Sequence, residues 1–369
     1  MRWHRRTLDL VASTESANVA GIPAAGYARI LSLYAAAHVV VDACCAATVF
    51  SVLPTDAVPL ETFAALLLLY HVIAFGLQSL FGLFVDATGM PRAAAVVGGL
   101  VSAVALLIPS PITAIVVTSL GNALFHVGGG VICLQVAPRR AAPCGFFVAP
   151  GAFGLLLGTI LGKSGVPVAV PFLAAAVVVC LLVACTPEPH TERIANPRLR
   201  SGMEPILALV LLSVTVRSAL GFLVSFPWDT QPGALLGLTA ATVFGKAIGG
   251  ILADRWGWMR VAVGSLLAAL PFLACGPTFP MAAIPGVFLL NMTMPITLAA
   301  VAETLPGHPG FAFGLTTLAL LLGEIPFFLG AAIGNSIFVV LMILLSVAGL
   351  YNGLRLLAVG PSFPKAVRA

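Results

Sequence analysis

The stretch Gly82-Leu-Phe-Val-Asp86-Ala-Thr-Gly89-Met-Pro-Arg92 recurs 168 residues further on as Gly250-Ile-Leu-Ala-Asp254-Arg-Trp-Gly257-Trp-Met-Arg260. A second match follows in the same order: Gly145-Phe146 and Leu157-Gly158 return as Gly310-Phe311 and Leu322-Gly323, at an offset of 165. Two collinear matches in corresponding places describe a duplicated chain. Each copy lies among long apolar runs, so the repeated unit is a bundle of apolar segments rather than a soluble module.

Composition says what surrounds those bundles. Of 369 residues, 60% are apolar and 8% are charged, with a mean hydropathy of +1.09. Soluble domains run at about 45–50% apolar and about 25% charged, so much of this surface must face lipid. A soluble enzyme, a nucleic-acid-binding module, a secreted disulfide scaffold and a disordered chain are all excluded. Cutting the chain at its charged, Pro and Gly punctuation predicts twelve spans: 29–53, 61–84, 93–109, 112–136, 143–162, 167–185, 204–226, 233–253, 260–276, 280–302, 308–330 and 333–357. Each approaches the roughly 20 residues that a helix needs to cross hydrocarbon. The runs are continuous rather than alternating, which predicts helices and not barrel strands. The expected fold class is therefore all-α: a polytopic membrane protein of two six-helix pseudo-repeats.

Charge orients it. Fifteen of the eighteen Lys and Arg residues fall in the tails and in the loops between even and odd spans, and Lys163 alone falls in a loop of the opposite side. By the positive-inside tendency both termini are expected in the cytoplasm, in a plasma membrane of the bacterial inner-membrane type. The basic start Met1-Arg2-Trp3-His4-Arg5-Arg6 has no short apolar core and cleavage site after it, and reads as a tail. The expected organisation is a tail over 1–28, a bundle over 29–185, a polar linker over 186–203, a second bundle over 204–357 and a tail over 358–369. The seven cysteines show no CxxC or metal-like spacing, so neither a disulfide framework nor a metal or cofactor is expected.

On these residues the chain resembles the major facilitator superfamily, over essentially 29–357. The family signature between helices 2 and 3 is G-x-x-x-D-R-x-G-R-[RK]. The second copy fits it through Gly250, Asp254, Arg255, Gly257 and Arg260, while the first keeps Gly82, Asp86, Gly89 and Arg92 but has Ala87 in place of the Arg. The resemblance implies that these loops latch the halves together on the cytoplasmic side, with a weaker first latch because of Ala87. Gly145-x-x-x-Ala149-Pro150-x-x-Phe153-Gly154 is similar to a degraded proton-antiporter motif, whose alternative reading is close helix packing through Gly154, Gly158 and Gly162. His38-Val-Val-Val-Asp42 and Phe125-His126 faintly resemble the fosmidomycin-resistance branch.

Polar groups at mid-span are the most informative, because a central Arg, Lys or Asp costs about 2.5–3.5 kcal/mol on insertion scales. His38, Asp42, Asn122, His126, Arg217 and Asn291 all fall near the centres of spans 1, 4, 7 and 10, which the resemblance implies line the central cavity. They are the expected substrate-binding set. His71 is expected to make an interhelical hydrogen bond. Asp42 could instead serve as a structural partner for Arg217. Lys246 and Glu324 are further buried charges that the helix rise places about 12 Å apart in depth, against a direct pair. Asp42 and Glu324 are the expected proton carriers. Gly128-Gly129-Gly130 either opens its helix or lets a bulky neighbour approach.

The function expected is secondary, proton-coupled transport of a small organic solute around a midplane site by rocking of the halves, leaning to drug or metabolite efflux in an antiporter-like manner. Import of an organic anion with protons is the alternative. The other classes weighed are a transport-inactive solute sensor and an intramembrane metal-dependent enzyme using His38, Asp42, His71 and His126. No phosphate-binding Gly-rich loop or metalloprotease motif is present, so enzyme activity is not expected. The expected partners are substrate, protons and the bilayer, with no nucleic acid, for a monomer.

Overall fold

The computed structural model describes residues 24–52, 59–189, 202–224, 226, 228, 231–333 and 335–359. The two tails and the linker fall largely outside them. Among the described residues twelve helical segments run in series. The first half holds α1 (Ala24–Val52), α2 (Leu60–Thr88), α3 (Pro91–Leu107), α4 (Pro111–Val136), α5 (Ala142–Lys163) and α6 (Ala169–Ala184). The second holds α7 (Met203–Leu223), α8 (Pro232–Trp256), α9 (Trp258–Cys275), α10 (Met281–Thr304), α11 (Pro309–Phe328) and α12 (Ser336–Val359). Ten are long and apolar enough to cross a membrane, and α3 and α6 are shorter apolar helices. The predicted spans match to within a few residues. Proline explains many of the starts: it sits at or next to the first residue of α3, α4, α5, α8, α10 and α11, where its missing N–H costs nothing.

Each half has its own buried cluster. One gathers Tyr34, Val41, Phe125, Ile132 and Phe147, the other Val210, Leu266, Ile296, Ile343 and Leu350. Large apolar side chains point the other way along the outer helices, such as Val170, Val178 and Leu181 on α6 and Ile337, Phe338 and Leu341 on α12. A helix with apolar residues on both faces is what a lipid-facing position requires.

Three helices are interrupted, each beside a polar group. A π-helical turn, Val72–Gly76, follows His71 directly in α2. α5 breaks at Ala149-Pro150, and α10 breaks at Met292-Thr293 ahead of Pro295. The triple glycine is not such a break, since α4 runs through it unbroken. A side chain at Gly128 would meet the Pro91 and Ala95 backbone, at Gly129 the Phe147 ring, and at Gly130 the Phe313 ring. These glycines exist to let neighbours approach.

The two repeated loops join the halves. Asp86, at the end of α2, accepts hydrogen bonds from the N–H groups of Gly310 (2.8 Å) and Phe311 (2.9 Å), which open α11. Asp254, at the end of α8, accepts from Ala141 (2.8 Å) and Ala142 (3.0 Å), which open α5. A carboxylate on unpaired helix N-terminal N–H groups gains both charge-assisted bonds and the helix dipole. Gly82 and Gly250 bring the backbones together: a side chain at Gly82 would strike Gly310, and one at Gly250 would strike Ala141 and Ala142. Gly89 (φ 65°) and Gly257 (φ 96°) supply the backbone turn after each aspartate. The arginines do not hold the aspartates. Arg92 donates to the Thr186 carbonyl at 2.5 Å and pairs with Glu188 at 3.4 Å, while Arg255 and Arg260 are exposed. The two copies have matching bonds although Ala87 replaces an arginine, so the expected weakness of the first latch has no counterpart in the geometry. The reason is that the aspartates' partners are backbone N–H groups.

Candidate functional site

The expected mid-membrane residues separate into two groups, one on each half. On α1, His38 and Asp42 stand one helical turn apart, and on α4 Asn122 and His126 do the same, so each pair shares a face. The two faces meet. His38 Nε2 lies 2.9 Å from His126 Nε2 and 3.2 Å from Asp42 Oδ2, and His126 Nε2 lies 3.7 Å from Asp42 Oδ1. Asn122 donates to Asp42 Oδ1 at 3.2 Å. The other imidazole nitrogens face carbonyls: His38 Nδ1 is 2.7 Å from the oxygen of Phe147, beside the α5 break, and His126 Nδ1 is 2.9 Å from that of Asn122. Gly151 caps the group, since a side chain there would overlap His38 and Asp42.

The other group lines a cavity of about 410 Å³ in the second half, bounded by α7, α8, α9, α10 and α11. Arg217, Thr242, Lys246, Asn291 and Glu324 supply its polar wall, and Leu238, Leu273 and Leu290 are among its apolar residues. The cavity extends past the end of α7 to Val224 and Phe226. Arg217 is 7% exposed and donates through Nη2 to Thr297 at 3.0 Å, while its Nε has no partner. Asn291 donates back to the Val287 carbonyl of its own helix at 2.9 Å. Neither Arg217 nor Lys246 forms a salt bridge among the described residues.

A third contact bridges them. His71 Nδ1 lies 2.5 Å from Glu324 Oε2, joining α2 to α11. Phe75, Phe222 and Phe328 pack around the imidazole.

His38, Asp42, Asn122 and His126 are thus brought together, and Arg217 and Asn291 share the cavity of the second half. Arg217 does not meet Asp42; Thr297 is its partner instead. Glu324 meets His71 and not Lys246, in keeping with the depth argument. Thr242, Thr297 and the Phe147 carbonyl went unnoticed in the sequence, where isolated threonines and backbone groups in apolar runs carry no signal.

No protein-family model matches the chain, and no curated protein matches it. Solved structures do. The Escherichia coli fucose:proton symporter FucP aligns at a TM-score of 0.71 and 12% identity, over 90% of this chain and 99% of that one. The chain has the major facilitator fold. The human organic anion transporter MFSD10 (TETRAN) shares that fold at a TM-score of 0.64 and 14% identity, over 89% of this chain and 98% of that one. So does a bacterial homologue of the iron transporter ferroportin in its outward-facing state, at 0.58 and 14%, over 88% and 97%. The Arg217 cavity shares no residue with the Asp86 and Asp254 contacts that join the halves.

Proposed function

We propose that this chain is a secondary transporter of the major facilitator kind that carries a small organic anion, coupled to protons, by alternating the access of a mid-membrane site. The observation that carries the reading is Arg217. A guanidinium stays charged under all ordinary conditions, and placing it in hydrocarbon without a carboxylate is costly. An anion that enters the cavity and leaves again supplies the missing partner, through the free Nε, with Lys246 and Asn291 on the same wall. A cavity of about 410 Å³ suits a small molecule.

Proton coupling is supported by the two carboxyls that lie beside imidazoles, Asp42 with His38 and His126, and Glu324 with His71. The latched end would face the cytoplasm of a plasma (inner) membrane, with the protein working as a monomer and without catalytic activity. Efflux is the direction that the antiporter-like stretch on α5 favours. Import is the second reading, because the fucose:proton symporter shares the fold. The faint resemblance to the fosmidomycin-resistance branch adds phosphonates to the anions worth trying.

The test is a thermal-shift screen of purified protein in detergent against carboxylates, phosphonates and lipophilic cations. Stabilisation by an anion that disappears in Arg217→Ala and in Lys246→Ala is expected. Stabilisation by lipophilic cations that depends on Asp42 and ignores Arg217 would replace the anion reading with a drug exporter. Reconstitution into vesicles with an imposed pH gradient then gives the direction.

A further inference from the structure

His38, Asp42 and His126 present a chemical problem that a hydrogen-bond reading does not solve. A backbone carbonyl can only accept. The carbonyls of Phe147 and Asn122, facing His38 Nδ1 at 2.7 Å and His126 Nδ1 at 2.9 Å, therefore require N–H on both Nδ1 atoms. In the neutral imidazoles both Nε2 atoms are then lone-pair acceptors. Yet they face each other at 2.9 Å, and Asp42 adds carboxylate oxygens at 3.2 and 3.7 Å. Three acceptors converge on one point with no donor between them. The arrangement calls for a cation at its centre.

A proton answers the charge but serves at most two of the three acceptors. A metal ion serves all three. Ligands bound to one transition-metal ion at about 2.0–2.2 Å stand about 3–3.5 Å from one another, close to the separations seen. The outer contacts are also those of metal sites, where each imidazole donates its remote N–H to a carbonyl and the carboxylate is itself hydrogen-bonded, here by Asn122 at 3.2 Å. Gly151 leaves the space against His38 Nε2 and Asp42 Oδ2 unfilled, because any side chain there would overlap both. Two imidazoles and one carboxylate are a donor set for borderline divalent ions; calcium and magnesium prefer oxygen alone.

We infer that His38, Asp42 and His126 form a binding site for one divalent transition-metal ion in the first half of the protein. The site is independent of the Arg217 cavity, and it deepens the proton-coupling reading of the same three residues, because metal and protons compete for them. Acid opposes the metal, since protonated imidazoles cannot ligate. The other titratable groups around Asp42 are Lys246 on α8, Cys45 on α1 and Tyr70 on α2.

The experiment uses full-length protein in detergent, freed of any histidine tag and treated with chelator, and titrated calorimetrically with Co²⁺ and Zn²⁺ at about pH 7.5 and about pH 5. One ion per chain is expected at the higher pH, with weaker binding at the lower and none for Mg²⁺. His126→Ala should lower the affinity at least about tenfold and Asn122→Ala about 10–100-fold. Gly151→Ala keeps every ligand but sets a methyl group against His38 Nε2 and Asp42 Oδ2, and should abolish binding. Arg217→Ala should leave the metal affinity unchanged while removing the anion response, so the two readings fail separately. Absence of saturable binding to the wild-type protein overturns the site. So does binding retained in both His126→Ala and Gly151→Ala. X-ray absorption of the zinc-loaded wild type reads the ligands directly, without any variant that has to fold: two imidazoles bound to the zinc are required, and fewer refute the assignment.

Discussion

His71 Nδ1 and Glu324 Oε2 stand 2.5 Å apart although 253 residues separate them in the chain. The contact ties α2 of one half to α11 of the other, immediately before the π-helical turn of α2. The rocking of the halves proposed above would break this contact and re-form it. Breaking a buried pair by removing one partner costs about 3–5 kcal/mol. His71→Ala is accordingly expected to lower the melting temperature measurably. A melting temperature equal to wild type would mean the pair contributes nothing in the latched state.

Glu324→Gln keeps a hydrogen-bonding group of the same shape but removes the titration. Substrate exchange without a gradient should persist, while accumulation driven by a pH gradient should fall to background. Vesicle uptake with and without the gradient measures both. Retained pH-driven accumulation would take Glu324 out of the coupling.

Asp42→Asn is expected to abolish pH-gradient-driven accumulation in a protein that still folds, because Asn122 can still donate to the remaining side-chain oxygen. Accumulation at the wild-type level would refute Asp42 as a carrier.

The latch offers a prediction free of any substrate. Asp86→Asn and Asp254→Asn each lose two charge-assisted bonds to helix N-termini, at about 1.5–3 kcal/mol per bond to a charged group. Each should shift the equilibrium toward the state open at that end by about tenfold or more, and by similar factors. Spectroscopic distances between labels on the two halves measure the shift. Ala87→Arg should change it little, since the aspartates bond backbone N–H groups; a large gain in latching would restore the arginine to the mechanism.

The glycines of α5 separate packing from motif. A side chain at Gly154 or Gly158 would collide with the α1 backbone at Val39 or Ala43. Gly158→Val is expected to destabilise by at least about 1–3 kcal/mol, the usual range for overpacking. Thermal unfolding in detergent would register it. An unchanged melting temperature would return these glycines to a role in exchange.

Much of this protein was legible in one dimension. The twelve spans follow from apolar runs whose length matches the bilayer, and those runs are local. The latch positions follow from a duplicated motif, and the depth of His38, Asp42, Asn122, His126, Arg217 and Asn291 follows from counting along each helix. Depth also disfavoured a Lys246–Glu324 pair, and the structure gives Glu324 another partner.

Counting along a helix gives height but not which way the helix is turned or what stands beside it. That His38 and His126 aim their Nε2 atoms at one point depends on the mutual rotation of α1 and α4, with α5 broken at Pro150 so that the Phe147 carbonyl reaches His38. That Arg217 finds Thr297 rather than Asp42 depends on which helices share a half. Sequence alone determined the membrane fold, its duplication and the depth of its polar groups, because hydropathy and repetition are read residue by residue. The pairing of those groups was decided by tertiary structure, because it is set by the azimuth and packing of helices far apart in the chain.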